Sequence, residues 1–75
     1  MPLAYLLISA EQFDQSLVKE LRKIVGVEEA LPVYGIYDII VSTRADTMDK
    51  LKAVHDKIRK LDGVKQTLTM IAHEG

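Results

Sequence analysis

The sequence predicts an α+β domain of the ferredoxin-like βαββαβ kind. Four strands form an antiparallel sheet with two helices on one face, and the other face dimerises, giving a dimeric α+β barrel. Three observations predict it. Residues 33–41 (VYGIYDIIV) set two β-prone apolar runs around Gly35, a hairpin signal near the middle of the 75-residue chain. The two sides of that hairpin are related in sequence. The strands on both sides are apolar on both faces.

The relation appears when the chain is slid against itself by 37 positions, Lys19 onto Asp56. Arg22/Arg59, Lys23/Lys60, Gly26/Gly63, Val27/Val64 and Leu31/Leu68 then coincide, and Leu21/Ile58 and Ile24/Leu61 are apolar in both copies. At an offset of 33, Leu6-Leu7-Ile8-Ser9 falls on Ile39-Ile40-Val41-Ser42, so the second helix is about one turn longer. An internal duplication and the pattern that any two βαβ units share both account for this. The architecture is the same either way.

Strand one, residues 3–9, points Leu3, Tyr5 and Leu7 to one face and Ala4, Leu6 and Ile8 to the other. Neither face is polar, as in strands covered on both sides. Helix one starts at an Asp14 N-cap, carries Phe13, Leu17, Leu21 and Ile24 as its apolar stripe, and ends with Gly26 at C′. Strand two, residues 27–34, alternates Val27, Leu31 and Val33 against Glu28 and Ala30, with Glu29 out of pattern. Pro32 cannot donate to a ladder and places this strand at an edge.

Strand three sets Tyr37, Ile39 and Val41 against Asp38, Ile40 and Ser42. It is expected to form the central pair with strand one, the two running parallel. Helix two has Asp46 as N-cap, Asp49 in the first turn, a stripe of Leu51, Val54, Ile58 and Leu61, and Gly63 as its stop. Strand four, residues 64–72, puts Val64, Leu68, Met70 and Ala72 on one face and Lys65, Thr67, Thr69, Ile71 and His73 on the other. Right-handed crossovers bring both helices to one side of the sheet. The other side needs a cover, and a second copy of the sheet is the simplest one.

Composition bounds the function. The chain is one domain spanning residues 1–75, with a net charge of −1 and a hydrophobic share of 48%. That charge supplies no attraction to nucleic acid or an anionic membrane. Absence of cysteine removes disulfides and thiolate metal sites. The first residues (MPLAYLLISAEQF) lack a basic n-region and a long apolar run, so a soluble cytoplasmic protein is expected.

His55 and His73 are the only imidazoles and have no obvious companion ligands; no Gly-rich phosphate loop or nucleophile elbow occurs. No enzyme, metal or cofactor is therefore expected. Tyr5 and Tyr37 sit where RNA-binding sheets stack bases, but without a basic surplus they read as interface or core. Gly35 to Asp38 can present backbone N–H groups to a carboxylate and a side-chain carboxylate to an ammonium, with Thr67 and Thr69 adding hydroxyls. An aspartate after a glycine turn also serves simply to hold the turn.

Taken together, Gly35-x-Tyr37-Asp38 followed by Ile39-Ile40-Val41, Leu61-x-Gly63-Val64 and Thr67-x-Thr69-Met70-Ile71 resemble the RAM domain of Lrp/AsnC transcriptional regulators. This is the effector-binding and oligomerisation domain of that family, here expected to stand alone without the helix-turn-helix. The resemblance implies homodimers formed sheet to sheet, rings such as octamers, and an amino-acid effector bound between dimers. It implies a ligand site of Gly35, Ile36, Tyr37 and Asp38 with Thr67, Leu68, Thr69 and Met70 of a neighbour. Ile36, Leu68 and Met70 suit an apolar or medium-sized ligand. It also implies full-length Lrp/AsnC regulators as partners, with no direct DNA binding by this chain. Two alternatives stay open: an oligomerisation or adaptor domain without ligand, and a small dimeric α+β barrel enzyme.

Overall fold

The computed structural model describes residues 2–12 and 14–72. Its elements are β1 (Leu3–Ala10), α1 (Gln15–Arg22), β2 (Val27–Pro32), β3 (Ile39–Arg44), α2 (Met48–Arg59) and β4 (Val64–Ile71). The strands form one sheet in the order β2-β3-β1-β4, and Pro32 lies on an edge strand as its missing N–H requires. All neighbouring strands are antiparallel, which corrects the parallel pairing expected for strands one and three. The β2–β3 hairpin inserts β3 between β1 and β2. The strands joined by a helix are therefore the parallel ones, and each such pair is separated by one strand.

Alternation sorts the residues of β1 and β3 cleanly. Ala4, Leu6 and Ile8 of β1 and Ile39, Val41 and Thr43 of β3 are fully buried, with Ala30 of β2 beside them. Leu17, Val18 and Leu21 of α1 and Leu51, Val54 and Ile58 of α2 close over that face. Val18 belongs to this core although the stripe inferred from spacing omits it. Phe13 and His73, placed by spacing on helix one and strand four, lie outside the described residues. No helix among the described residues is long and apolar enough to cross a membrane.

Two faces inferred from alternation need correcting, for one reason. The register steps from Val27↔Thr43 to Glu29↔Ser42, leaving Glu28 as an extra residue in β2. It steps likewise from Ala10↔Val64 to Ser9↔Gln66, leaving Lys65 extra in β4. Each bulge flips the parity of its strand. Val27 and Val64 thus turn to the helix side and pack on the core, opposite Leu31 and Leu68. Glu28 and Lys65 are equivalent under the 37-residue offset (28 to 65), so the two halves share the irregularity.

The helix ends also repeat. Both C-caps are lysines, Lys23 and Lys60, and the glycines follow three residues later at positive φ (Gly26 102°, Gly63 93°). Neither glycine is the C′ residue. Each instead turns the chain into the next strand, where a left-handed φ is needed. Asp14 caps α1 by accepting from the Ser16 N–H at 2.9 Å. The cap of α2 is Thr47, which accepts from the Lys50 N–H at 3.2 Å, rather than Asp46. Asp46 instead lies 3.7 Å from the Lys50 ammonium.

Among the described residues no helix lies on the far side of the sheet. Leu31, Ile40, Leu7 and Leu68 are successive cross-strand partners and form one apolar row across all four strands. Tyr5 and Met70 pair in the next row. Leu31, Leu68 and Met70 remain 46%, 44% and 47% exposed, so this face is apolar and open in the single chain.

Candidate ligand-binding site

The loop between β2 and β3 is held at its base and bare at its tip. The Val33 N–H donates to the Asp38 carbonyl at 2.9 Å, and the Asp38 N–H donates to the Ile8 carbonyl at 2.8 Å. Oδ2 of Asp38 accepts from the Ala10 N–H at 2.8 Å, closing the end of β1. Between these anchors Tyr34 and Ile36 are solvent-exposed, and Gly35 has φ 122° with nothing near its missing side chain. A shallow cleft beside the loop is lined by Gln15, Pro32, Val33, Tyr34 and Asp38.

Asp38 therefore holds the turn through Oδ2, and the remaining acceptor capacity of its carboxylate is open to a ligand. Asp38→Ala is expected to lower stability by about 1–2 kcal/mol, because the Ala10 N–H loses a charge-assisted partner. Asp38→Asn, which keeps an acceptor oxygen, should recover most of that loss in denaturant unfolding.

The strand-four residues divide between the two faces. Thr67 and Thr69 look toward α2, and Leu68 and Met70 lie on the open face as partners of Leu7 and Tyr5. Both threonine hydroxyls accept from Arg59: Nε donates to Thr67 Oγ1 at 3.3 Å and Nη2 to Thr69 Oγ1 at 3.1 Å. Thr67 and Asp38 border Ile8 from opposite sides, so loop and strand meet the same end of the sheet. One chain does not gather all eight residues into a single cleft.

Spacing did not single out Arg59, but the repeat carries a signal for it. Its equivalent, Arg22, donates from Nε and Nη2 to the Ala30 carbonyl at 3.2 and 2.9 Å. Ala30 is the 37-residue equivalent of Thr67. In both halves an arginine at the helix end clamps the following strand.

His55 is 4% exposed, and its Nε2 lies 2.8 Å from Thr43 Oγ1. The Thr43 hydroxyl donates its one proton to the Ala4 carbonyl at 3.1 Å. Oγ1 must then accept from the imidazole, which puts the His55 proton on Nε2 and leaves Nδ1 an acceptor. Burial and the Arg59 charge hold the His55 pKa below its usual value, with Asp56 opposing. A histidine depressed in the folded state gives stability that is present above the unfolded pKa of about 6.5 and lost as pH falls through the folded value. Stability should therefore decline on acidification below about pH 6.5, and His55→Gln should flatten that slope in thermal melts. Among the described residues no group of three or more metal-capable side chains comes together.

The family model described as "Lrp/AsnC ligand binding domain" matches residues 3–74. The chain belongs to this family. Among solved structures, the crystal structure of FFRP-DM1 is 36% identical, with a TM-score of 0.87, covering 97% of this chain and 100% of that one. Escherichia coli AsnC gives a TM-score of 0.87 at 23% identity, covering 99% of this chain but 52% of AsnC. A Neisseria meningitidis transcriptional regulator solved as an L-Met complex gives 0.78 at 16% identity, covering 97% and 50%. At those identities the last two share the fold with this Lrp/AsnC domain.

A curated relative is homocitrate synthase from Saccharolobus islandicus, 34% identical over 59 residues. That match covers 79% of this chain and spans 13% of the synthase, a small fraction of its length. As a ligand-binding domain of the Lrp/AsnC family, the chain is a module of a regulatory kind.

Proposed function

We propose that this domain binds a small effector, an amino acid, at a site completed by self-association, and modulates Lrp/AsnC regulators through that assembly. The observation that carries this reading is the apolar row Leu31–Ile40–Leu7–Leu68, which spans the sheet uncovered. A second copy laid sheet to sheet buries it, forming a homodimer. Further association into a ring such as an octamer then brings the exposed loop of one dimer against another. Gly35, Ile36, Tyr37 and Asp38 would supply one wall and Thr67 and Thr69 of a neighbour the other, while Leu68 and Met70, on the opposite face of β4, would serve the sheet-to-sheet contact. The L-Met complex of the Neisseria regulator supports an amino acid as the class of ligand.

The mechanism is linkage. A ligand held between dimers favours the assembly that completes its site by RT ln(1 + [L]/Kd) per site. The similar segment within homocitrate synthase fits a sensing module carried by different whole proteins. A second reading, an assembly domain without ligand, draws on a specific observation: Asp38 and both threonines already have partners inside the chain. Titration calorimetry with the twenty amino acids, followed by light scattering, separates the two. Heat accompanied by a change in assembly size supports the effector reading. No heat and no size change for all twenty leaves the assembly reading alone.

A further inference from the structure

We infer that His55 is an acid-sensitive catch on α2: protonating its ring releases this helix from the sheet while the strands stay paired. Thr43 and His55 are the only buried polar side chains among the described residues, and they bond to each other at 2.8 Å inside an otherwise apolar core. The Thr43 hydroxyl extends the connection to the Ala4 carbonyl. One line of hydrogen bonds therefore runs from α2 through β3 to β1.

The internal repeat shows that the fold does not require this pair. The offset of 37 brings Val18 onto His55, and the offset of 33 brings Ala10 onto Thr43. Val18 is buried in the core cluster and Ala10 packs against it, so the first half fills the same place between helix and strand with apolar side chains. Replacing both partners of a buried hydrogen bond by apolar groups of like shape is near neutral or stabilising. The second half instead holds the one buried side chain whose charge changes in the mildly acidic range.

Acid charges the ring by adding a proton at Nδ1, since Nε2 already donates to Thr43. The charged groups around the imidazole lie on α2 itself: Lys52, Asp56 and Arg59. Burial and Arg59 oppose the new charge, and Asp56, which favours it, also accepts from Arg59 at 3.4 Å. Beneath the ring β1 and β3 contribute Ala4 and Thr43, and β4 contributes Thr69 and Ile71. The buried residues of α1 are Leu17, Val18 and Leu21, so no element packed against α2 supplies an anion. What the neutral ring contributes is present above the unfolded pKa of about 6.5 and lost as pH falls through the folded value. The ring regains water by leaving the core with its helix, and the Arg59 bonds to Thr67 and Thr69 go with it. The strands keep their own ladders.

Amide hydrogen exchange of the intact protein, read residue by residue by NMR from about pH 7.5 to about pH 5, tests this. Protection factors in α2 are expected to fall several-fold over the range in which the His55 ring titrates, while those of β1 and β3 hold. His73→Gln, which removes the other imidazole, should leave the response in place. His55→Leu combined with Thr43→Val, an apolar pair in the manner of the first half, should abolish it. Should that pair fail to fold, His55→Gln serves, because its amide still offers Thr43 a donor and takes up no proton. A response that survives removal of His55, or that disappears in His73→Gln, overturns the inference. So does α2 protection that stays level while the His55 ring titrates, or strands that open together with the helix.

Discussion

Leu7→Asp is expected to reduce self-association by about three orders of magnitude or more. Leu7 lies on the central strand β1, flanked in its row by Ile40 and Leu68, with Leu31 beyond. Covering a leucine is worth about 1.5–3 kcal/mol, and a two-fold interface contains each one twice. An aspartate there forfeits that gain and adds the desolvation of two carboxylates with no cation opposite. The core face of β1 is untouched, because Ala4, Leu6 and Ile8 point the other way. The variant should thus show native helical circular dichroism while sedimenting as a smaller species. Lys19→Asp, on the outer side of α1, should sediment like the parent protein.

Gly26→Ala is expected to be the most damaging single methyl group in the chain. A Cβ at this position would stand 2.6 Å from Val54 Cγ2, on a backbone with φ 102°. The left-handed backbone alone costs an alanine about 1–2 kcal/mol. Val54 belongs to the core cluster, so displacing its methyl group adds an overpacking cost of about 1–3 kcal/mol. The carbonyl of Gly26 also accepts from the Arg44 N–H at 2.8 Å, so any shift loosens the end of β3. Gly35→Ala is the informative contrast: it meets nothing within 4 Å and should lose only the backbone term. In a double-mutant cycle, Val54→Ala should lessen the cost of Gly26→Ala by relieving the contact. Denaturant midpoints with unchanged m-values provide the measurement.

Most of the fold is legible because the patterns that carry it are redundant. Pro32 and the crossover order independently send strand two to an edge, and the alternation of β1 and β3 names the core residues directly. The bulges at Glu28 and Lys65 were not legible, since one added residue changes neither composition nor propensity. Only Glu29, out of pattern, hinted at the first. Asp46 and Thr47 are both good cap residues, and the choice between them is made by backbone geometry. The direction of strand three follows from the hairpin itself, and the expected parallel pair overlooked that reversal.

The candidate site was legible in part. The Gly35-x-Tyr37-Asp38 pattern locates an exposed loop, but not that Asp38 would spend one oxygen on the Ala10 N–H. Placing Thr67 and Thr69 on one face of strand four is right, yet their bonds to Arg59 depend on how α2 lies against β4. Helical spacing inside α2 contains no trace of that contact. The Arg22/Arg59 identity does, once Arg22 is seen holding Ala30.

The central claim is that the bare face of the sheet is an interface, and sedimentation velocity at micromolar concentration tests it most directly. The account predicts a dimer or a larger closed assembly that Leu7→Asp breaks down. A single boundary at the mass of one 8.4 kDa chain, folded and unaffected by Leu7→Asp, would contradict it.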